Sequence, residues 1–191
     1  MKVFRSRPPD RLITSDRAYV VDPLPQLVVG DYDLTSALAE VDDDVLLLEW
    51  DLAVDRDQLL AFVDTARAEP DLVRVAPYRL YATYDERLAH EMHGLRFREP
   101  EDVWAHRVAV SAHAWRFIDE QDQTCDIFGL GVVWLPGKLI RRFIETKPPE
   151  WRFDDTTFSG WHQTTIGAPV PIEWECRPVH LHYEFPPEWL S

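Results

Sequence analysis

The residues that constrain the fold most are a continuous apolar run that ends abruptly in charge. Residues 45–48 read VLLL, and Glu49, Trp50 and Asp51 follow directly. A run without polar alternation is typical of a strand covered on both faces, which is the position of a central strand in an α/β sheet. Because ligands of open α/β sheets bind at the carboxyl ends of such strands, we expect residues 49–51 to lie at the mouth of a cleft.

A helix and a second strand are predicted directly after this triplet. Residues 55–58 (DRDQ) form a capping-box pattern, and apolar residues at helical spacing follow until Pro70 ends the segment. Residues 72–76 (LVRVA) then return to strand character. This order predicts a β-α-β unit with a parallel crossover, and therefore an α/β architecture.

The remaining predicted elements are short and separated by Pro, Gly and charged residues. Residues 80–125 have no clear periodicity, and we interpret them as a variable lid or acceptor-binding region within one domain spanning residues 1–191. Strands are predicted at 3–4, 18–21, 26–29, 127–134, 170–176 and 179–183, and helices at 33–39, after Gly137, and from Asp154 to a stop at Gly167.

The composition argues against several classes of protein. The 191 residues fit one domain, and no apolar run approaches the roughly 18–20 residues that cross a bilayer, so we expect no membrane span and a cytoplasmic location. The net charge of −14 disfavours a broad nucleic-acid-binding face. Cys125 and Cys176 lack CxxC spacing and are expected to be reduced thiols in or near the core.

Acidic residues at the strand end are the first candidates for chemistry. Glu49 and Asp51 are two residues apart, so in an extended chain both carboxylates can project to one side and hold a hard divalent cation. The alternative is a pair of solvated acids that closes a strand. Basic residues near the N-terminus, Arg5 and Arg7 among them, form a local spot that could hold one diphosphate.

A histidine pair near the C-terminus is the second candidate. His180 and His182 are separated by one residue in an extended segment, so their imidazoles are expected to face the same way, and one of them could complete a metal shell. The alternative is a strand-edge pair bonded to nearby carboxylates or water. Zinc is disfavoured because no third nitrogen or sulfur ligand occurs at a recognisable spacing.

An aspartate pair at a predicted helix start is the third candidate. One of Asp154 and Asp155 is explained as an N-cap, whose side chain accepts a backbone N–H. The spare carboxylate could act as a general base toward an acceptor hydroxyl. The alternative is that the pair serves only the helix start.

Taken in chain order, these pieces resemble the glycosyltransferases of the GT-A fold. The pieces are the apolar strand into residues 49–51, a strand containing Gly129 and Gly131, the acidic pair that opens a helix, and the late histidine pair. The resemblance implies a single-domain three-layer sandwich with a mostly parallel central sheet. It covers residues 1–80 and 125–185 in outline.

The resemblance implies a role for each motif. An acid-x-Asp triplet in that family binds the metal and the diphosphate of the donor, and Asp51 and Glu49 stand in that position. A late histidine ligand would be His180 or His182. The acidic pair supplies the base of inverting members. The remaining donor contacts would come from Arg5, Arg7, Trp50 and an aspartate that reads the nucleotide base, Asp22 or Asp31.

The function expected from this resemblance is a hexosyltransferase-like, metal-dependent glycosyltransferase. It would move a sugar from a nucleotide diphosphate donor, a UDP-sugar first among them, to an acceptor hydroxyl by a single inverting displacement with Mn²⁺ or Mg²⁺. The sequence does not identify the acceptor, which could be a glycan, a protein or a modified nucleobase. Two other readings are open: a non-catalytic nucleotide-sugar or carbohydrate-binding protein on the same scaffold, and a metal-dependent phosphoesterase.

Overall fold

A computed structural model describes residues 1–6, 26–29, 34–49, 52–80, 103–111 and 114–180. The helices are α1 (Leu34–Ala39), α2 (Arg56–Ala68), α3 (Gly137–Thr146) and α4 (Asp155–Thr165). The strands are β1 (Lys2–Ser6), β2 (Gln26–Val29), β3 (Val45–Leu48), β4 (Leu52–Ala53), β5 (Arg74–Val75), β6 (Arg79–Leu80), β7 (Val103–Trp104), β8 (Arg107–Ser111), β9 (Ala114–Phe117), β10 (Thr124–Cys125), β11 (Val132–Leu135), β12 (Val170–Pro171) and β13 (Val179–His180).

The largest sheet has five strands in the order β2-β1-β3-β11-β5. Strand β1 pairs in parallel with β2 and β3, whereas β11 pairs antiparallel with both β3 and β5. Four strands therefore run in one direction and β11 runs against them. The predicted α/β class is confirmed as a mixed α/β fold with a mixed sheet.

The β-α-β unit is present with one difference in its neighbours. Strands β3 and β5 flank α2 in the chain and are parallel, as predicted, but β11 lies between them. The four residues of β11, VVWL, are all buried, so this strand is as apolar as β3 and takes a central place equally well. Local sequence does not indicate whether β5 or β11 lies next to β3, because β11 is as apolar as a central strand requires.

Apolar side chains cover both faces of this sheet. Phe4, Leu47 and Val133 lie in one buried cluster, which also contains residues of α1, α3 and α4. The alternate positions Val3, Leu46 and Val132 lie in a second cluster together with the buried face of α2. Strand alternation thus assigns successive residues to opposite faces, and the helices close each face.

The helix starts agree with the capping patterns, with one correction. Asp55 caps α2 through bonds from the Asp57 and Gln58 N–H groups at 3.0 and 3.1 Å. The expected reciprocal bond from position 58 is replaced by another contact, because the Gln58 side-chain oxygen accepts the Arg177 N–H at 3.0 Å. Gly167 has φ of 68° just after α4, which confirms the predicted glycine stop.

Besides β5, which covers only Arg74–Val75 of the predicted 72–76, two predicted strands are shorter than expected. The segment predicted as a strand over 127–134 joins the sheet only from Val132. Of the strand predicted over 170–176, only Val170–Pro171 is a strand, and Ile172 adds one isolated bridge to Val75. In the second case the chain turns, because the Cys176 N–H donates to the Glu173 carbonyl at 3.1 Å. The alternation of apolar residues over 170–176 therefore reflects alternating burial and not a continuous strand.

Other expectations have mixed outcomes. The segment 80–125 contains β7 to β10 in its described part, and the strand predicted at 18–21 lies outside the described residues. Cys125 and Cys176 are buried and free, and burial raises the pKa of the Cys176 thiol to about 12. None of the helices in the described residues has the length and apolar character that a bilayer-spanning segment requires.

Candidate functional site

The end of β3 brings two predicted site residues to one edge of the sheet. Arg5 of β1 pairs with Leu48, the residue just before Glu49. Because β1 and β3 are parallel, both strands end at this edge, which is where ligands of α/β sheets bind. We call it the carboxyl edge, and the opposite one, where β3 begins, the amino edge. The Arg5 side chain lies outside the described residues.

The backbone of Glu49 is held on both sides. Its N–H donates to the Gly131 carbonyl at 2.7 Å, and its carbonyl accepts the Leu52 N–H at 3.3 Å. The second bond joins residues i and i+3, as in a β-turn, so the chain leaves the strand direction after a half-buried Glu49. Trp50 and Asp51 lie outside the described residues. A turn does not follow strand alternation, so the relative direction of the Glu49 and Asp51 carboxylates stays a prediction.

A short antiparallel pair connects the acidic triplet with the histidine motif. Strand β13 pairs with β4, and in this register His180 is opposite Leu52. Leu52 is bonded to Asp51, and consecutive Cα atoms are about 3.8 Å apart. The backbones of residues about 130 positions apart in sequence therefore meet at the carboxyl edge. The side chain of His180 and all of His182 lie outside the described residues.

A buried tyrosine packs against the segment that holds Glu49. Tyr78 is 4% exposed and lies so close to Gly129 and Gly131 that neither position has room for a Cβ. A Cβ on Gly129 would lie 2.6 Å from the Tyr78 hydroxyl oxygen, and one on Gly131 would lie 2.6 Å from Leu52 Cδ1. These glycines serve close packing rather than phosphate binding, because the third glycine of a phosphate loop is absent from the sequence.

A fully buried histidine ties the same segment to β5. His106 is 0% exposed, its Nε2 lies 2.7 Å from the Ala76 carbonyl oxygen, and its Nδ1 accepts the Gly129 N–H at 3.3 Å. This pattern requires the neutral Nε2–H tautomer. Burial lowers the pKa of His106 to about 4, although the bond to Ala76 acts in the opposite direction. His106 is thus a neutral link behind the carboxyl edge.

Asp154 and Asp155 begin α4 and bond within its first turn. The Asp154 side chain accepts the Thr157 N–H at 2.7 Å, and the Thr157 hydroxyl in turn accepts the Asp154 N–H at 3.3 Å, which closes a capping box. Asp155 accepts the Thr156 N–H at 2.8 Å. Both side chains are exposed. The predicted N-cap is confirmed and is Asp154, which leaves Asp155 as the spare carboxylate.

The remaining predicted ligands are not described. Within the described ranges, His, Cys, Asp and Glu side chains form no group of three or more that could hold a metal ion. Glu49 is the one member of the predicted metal set whose side chain is described. The residues outside the described ranges are Arg7, Asp22, Asp31, Trp50, Asp51 and His182.

Sequence reasoning missed the residues that support the carboxyl edge. The rings of His106 and Tyr78 pack edge to face with their centroids 5.7 Å apart. Both residues also contact the segment 129–131. Nothing in the local sequence around His106 signals this role, since its partners lie 30 and 23 residues away. The closely spaced Gly129 and Gly131 were the one available signal of tight packing.

Comparison with known proteins gives a fold and no family. No protein-family model matches the chain, and none of the curated proteins matches its sequence. Among solved structures, the crystal structure of A197 from STIV is similar, with a TM-score of 0.54 over 94% of this chain and 85% of that chain. The two sequences are 13% identical, so the likeness shows a shared fold alone.

Proposed function

We propose that this protein is a glycosyltransferase of the GT-A type, with a three-layer arrangement of helices about its central sheet. It transfers a sugar from a nucleotide diphosphate donor to an acceptor hydroxyl. The observation that carries the proposal is the pairing of His180 with Leu52, the residue after Asp51. This pairing brings the acidic triplet at 49–51 and the histidine motif together at the carboxyl edge, and we propose that both supply ligands to one metal ion.

The parallel ends of β1 and β3 support the proposed donor site. Arg5 lies beside Leu48, so a basic residue and the acidic triplet leave the sheet at neighbouring positions. A donor diphosphate carries negative charge, and in a protein of net charge −14 it needs local positive partners to bind. Arg5, with Arg7 two residues later, supplies guanidinium groups that can bond phosphate oxygens in pairs.

The donor atoms of the proposed ligand set fit a divalent cation. Carboxylates suit Mn²⁺ and Mg²⁺, and an imidazole is compatible with Mn²⁺. Asp51 and Glu49, with His180 or His182, would hold this ion. When bound, the ion neutralises the diphosphate and helps it to leave as the glycosidic bond breaks.

The chemistry of the chain's own residues follows from the helix start. In a single displacement the acceptor oxygen bonds to the sugar C1, the C1–O bond to the diphosphate breaks, and a base takes the hydroxyl proton. Asp155 is the better candidate for this base, because the Asp154 carboxylate caps α4 and closes the capping box. Among the described residues, Asp155 bonds to its neighbour Thr156, and its exposed side chain is open to an incoming acceptor.

Donor binding and cleavage test the proposal. We expect a panel of UDP-, GDP- and ADP-sugars with Mn²⁺ to contain one that raises the melting temperature, since a ligand that binds the native state stabilises it by mass action. The same donor should release its nucleoside diphosphate. Asp51→Asn should slow that release about a thousandfold, because metal stabilisation worth several kcal/mol is lost. Asp42→Asn, at an exposed surface position, is the matched control.

The alternatives give different results in the same assay. Stabilisation by a nucleotide sugar without diphosphate release would indicate a binding protein. Release of inorganic phosphate from nucleotides or phosphate esters without sugar transfer would indicate a phosphoesterase. If Asp51→Asn retained full activity, the proposed metal set would be wrong.

A further inference from the structure

A cavity lies at the amino edge of the sheet, away from Glu49. It has a volume of about 400 Å³, within the ~300–1,000 Å³ of small-molecule sites. Residues just before β5, the first turns of α3, the last turn of α4 and the residues that follow α4 form its walls. His162, the first residue of α4 that lines the cavity, comes seven residues after Asp155, about 10 Å further along the helix.

The walls of this cavity are mainly apolar. Leu72, Leu139, Ile166 and Val170 line it, and Leu72 is 38% exposed, one of few large apolar side chains so exposed among the described residues. Apolar surface left in contact with water is a source of binding free energy for a ligand that covers it. The cavity therefore suits an occupant with an apolar body.

The rim of the cavity is cationic, although the protein as a whole is acidic. Lys138 and Asp71 both line the cavity and neutralise each other through an ion pair of 2.6 Å. Arg142, one turn further along α3, also lines it and makes no ion pair or side-chain hydrogen bond with any described residue. Within the described part of the chain, one positive charge on the rim is thus available to an anion.

A buried imidazole completes the lining. His162 is 3% exposed, and its Nδ1 has no hydrogen-bond partner among the described residues. Burial lowers the pKa of His162, so the ring is neutral at pH 7 and does not add a second charge. Among the described residues, the cavity then presents one cation without an ion-pair partner and one neutral polar ring on an apolar wall.

We propose that this cavity binds a small amphipathic monoanion, with its carboxylate at Arg142 and its apolar chain against Leu72 and Leu139. A guanidinium group binds a carboxylate through two parallel hydrogen bonds, which fixes the ligand's direction. The apolar wall excludes bare inorganic anions as good ligands, since they would gain nothing from it. This inference does not depend on the proposed glycosyl transfer.

Octanoate is the probe for this cavity, with 1-octanol and inorganic phosphate as matched neutral and non-apolar probes. We expect octanoate at pH 7 to shift NMR resonances of residues in α3 and α4 and to leave those around Glu49 unchanged. Arg142→Met should weaken octanoate binding at least tenfold. Arg141→Met, at the adjacent residue, which bonds to Asp42 instead, should leave binding unchanged.

Each of the other outcomes would overturn the proposal. Equal binding of 1-octanol would mean that the charge at Arg142 contributes nothing. Equal binding of phosphate would mean that the apolar wall contributes nothing. Absence of octanoate binding at millimolar concentration, or retention of binding in a folded Arg142→Met protein, would show that this cavity is not an anion site.

Discussion

The two edges of the five-stranded sheet are held together by different interactions. At the carboxyl edge the Glu49 N–H donates to the Gly131 carbonyl, and the segment 129–131 is held in turn by the ring of Tyr78 and the neutral imidazole of His106. Toward the amino edge the contacts are ionic. Arg74 is buried and bonds to the carboxylates of both Glu69 and Glu173.

This difference separates charges used for stability from charges that a ligand can use. The charge of Arg74 is matched by two protein carboxylates, so these ion pairs contribute to the stability of the fold. The contacts behind Glu49 that join Gly131, Tyr78 and His106 are between neutral groups. A site for a charged ligand, by contrast, needs acidic or basic side chains whose charge is not already matched within the core.

The largest effect is expected where the ionic edge is broken. Arg74→Met leaves Glu173, which is 19% exposed, without its partner, and removal of one member of a largely buried pair should cost about 3 kcal/mol of unfolding free energy. Urea unfolding measures this loss. Arg67→Met, at an exposed pair 3.9 Å long on α2, is the control and should change stability little. Equal effects of the two changes would remove the distinction drawn for Arg74.

The neutral edge is tested next by adding one methyl group. Gly129→Ala places a Cβ 2.6 Å from the Tyr78 hydroxyl oxygen and should cost about 2 kcal/mol through overpacking. In a Tyr78→Phe background the hydroxyl is gone, so the cost should fall. Gly131→Ala should not be relieved in this way, since its Cβ meets Leu52 and a carbon of the Tyr78 ring. A double-mutant cycle with urea unfolding gives these couplings.

The pH dependence of stability tests the neutral state of His106. Its pKa is about 4 in the folded protein and 6.5 in the reference state, so the unfolded chain binds more protons between these values. The stability contributed by the neutral state of His106 is fully present above pH 6.5. It is lost as the pH falls toward 4, by roughly 2 kcal/mol between pH 7 and pH 5. His106→Gln keeps a donor for the Ala76 carbonyl and should flatten this dependence.

A second buried histidine, His162, also affects the pH dependence of stability and has to be measured separately. Burial also lowers the pKa of His162, so His162→Phe should flatten part of the same pH window independently. An unchanged slope in folded His106→Gln would mean that the pKa of His106 is the same in the native and the unfolded protein. The hydrogen bonds to Ala76 and Gly129 would then need reassignment.

The smallest effect is expected at the start of α4. Asp154→Ala removes the cap and should cost about 1 kcal/mol, whereas Asp154→Asn keeps an acceptor and should cost little. If Asp155 is the base, Asp154→Asn should retain sugar transfer and Asp155→Asn should abolish it at unchanged melting temperature. The reverse pattern would assign the base to Asp154.

Local features of the fold were predictable from the sequence because their causes are local. The strand at 45–48 follows from its apolar run, and α2 and α4 follow from their capping aspartates. The central position of β11, the pairing of β13 with β4, and the bonds of His106 were not predictable. Each depends on residues brought together from distant parts of the chain, and single-sequence patterns carry no record of such contacts.

The candidate site divides in the same way. The sequence predicts Glu49, Asp154 and His180 as site residues because acid and imidazole groups at set spacings suggest chemistry, and that role stays a prediction. The scaffold of His106, Tyr78 and Gly131 was missed, since its members have no pattern in common. Such supporting residues determine where the end of β3 lies, and they would have to be found from structure.

One measurement tests the central claim most directly: a crystal of the protein soaked with Mn²⁺ and UDP, examined for anomalous scattering. The account predicts a manganese peak at the carboxyl edge, within coordination distance of the Asp51 carboxylate and of a His180 or His182 ring nitrogen, with the diphosphate beside Arg5. Mn²⁺ and UDP bound elsewhere, or a peak unaffected by Asp51→Asn, would contradict it.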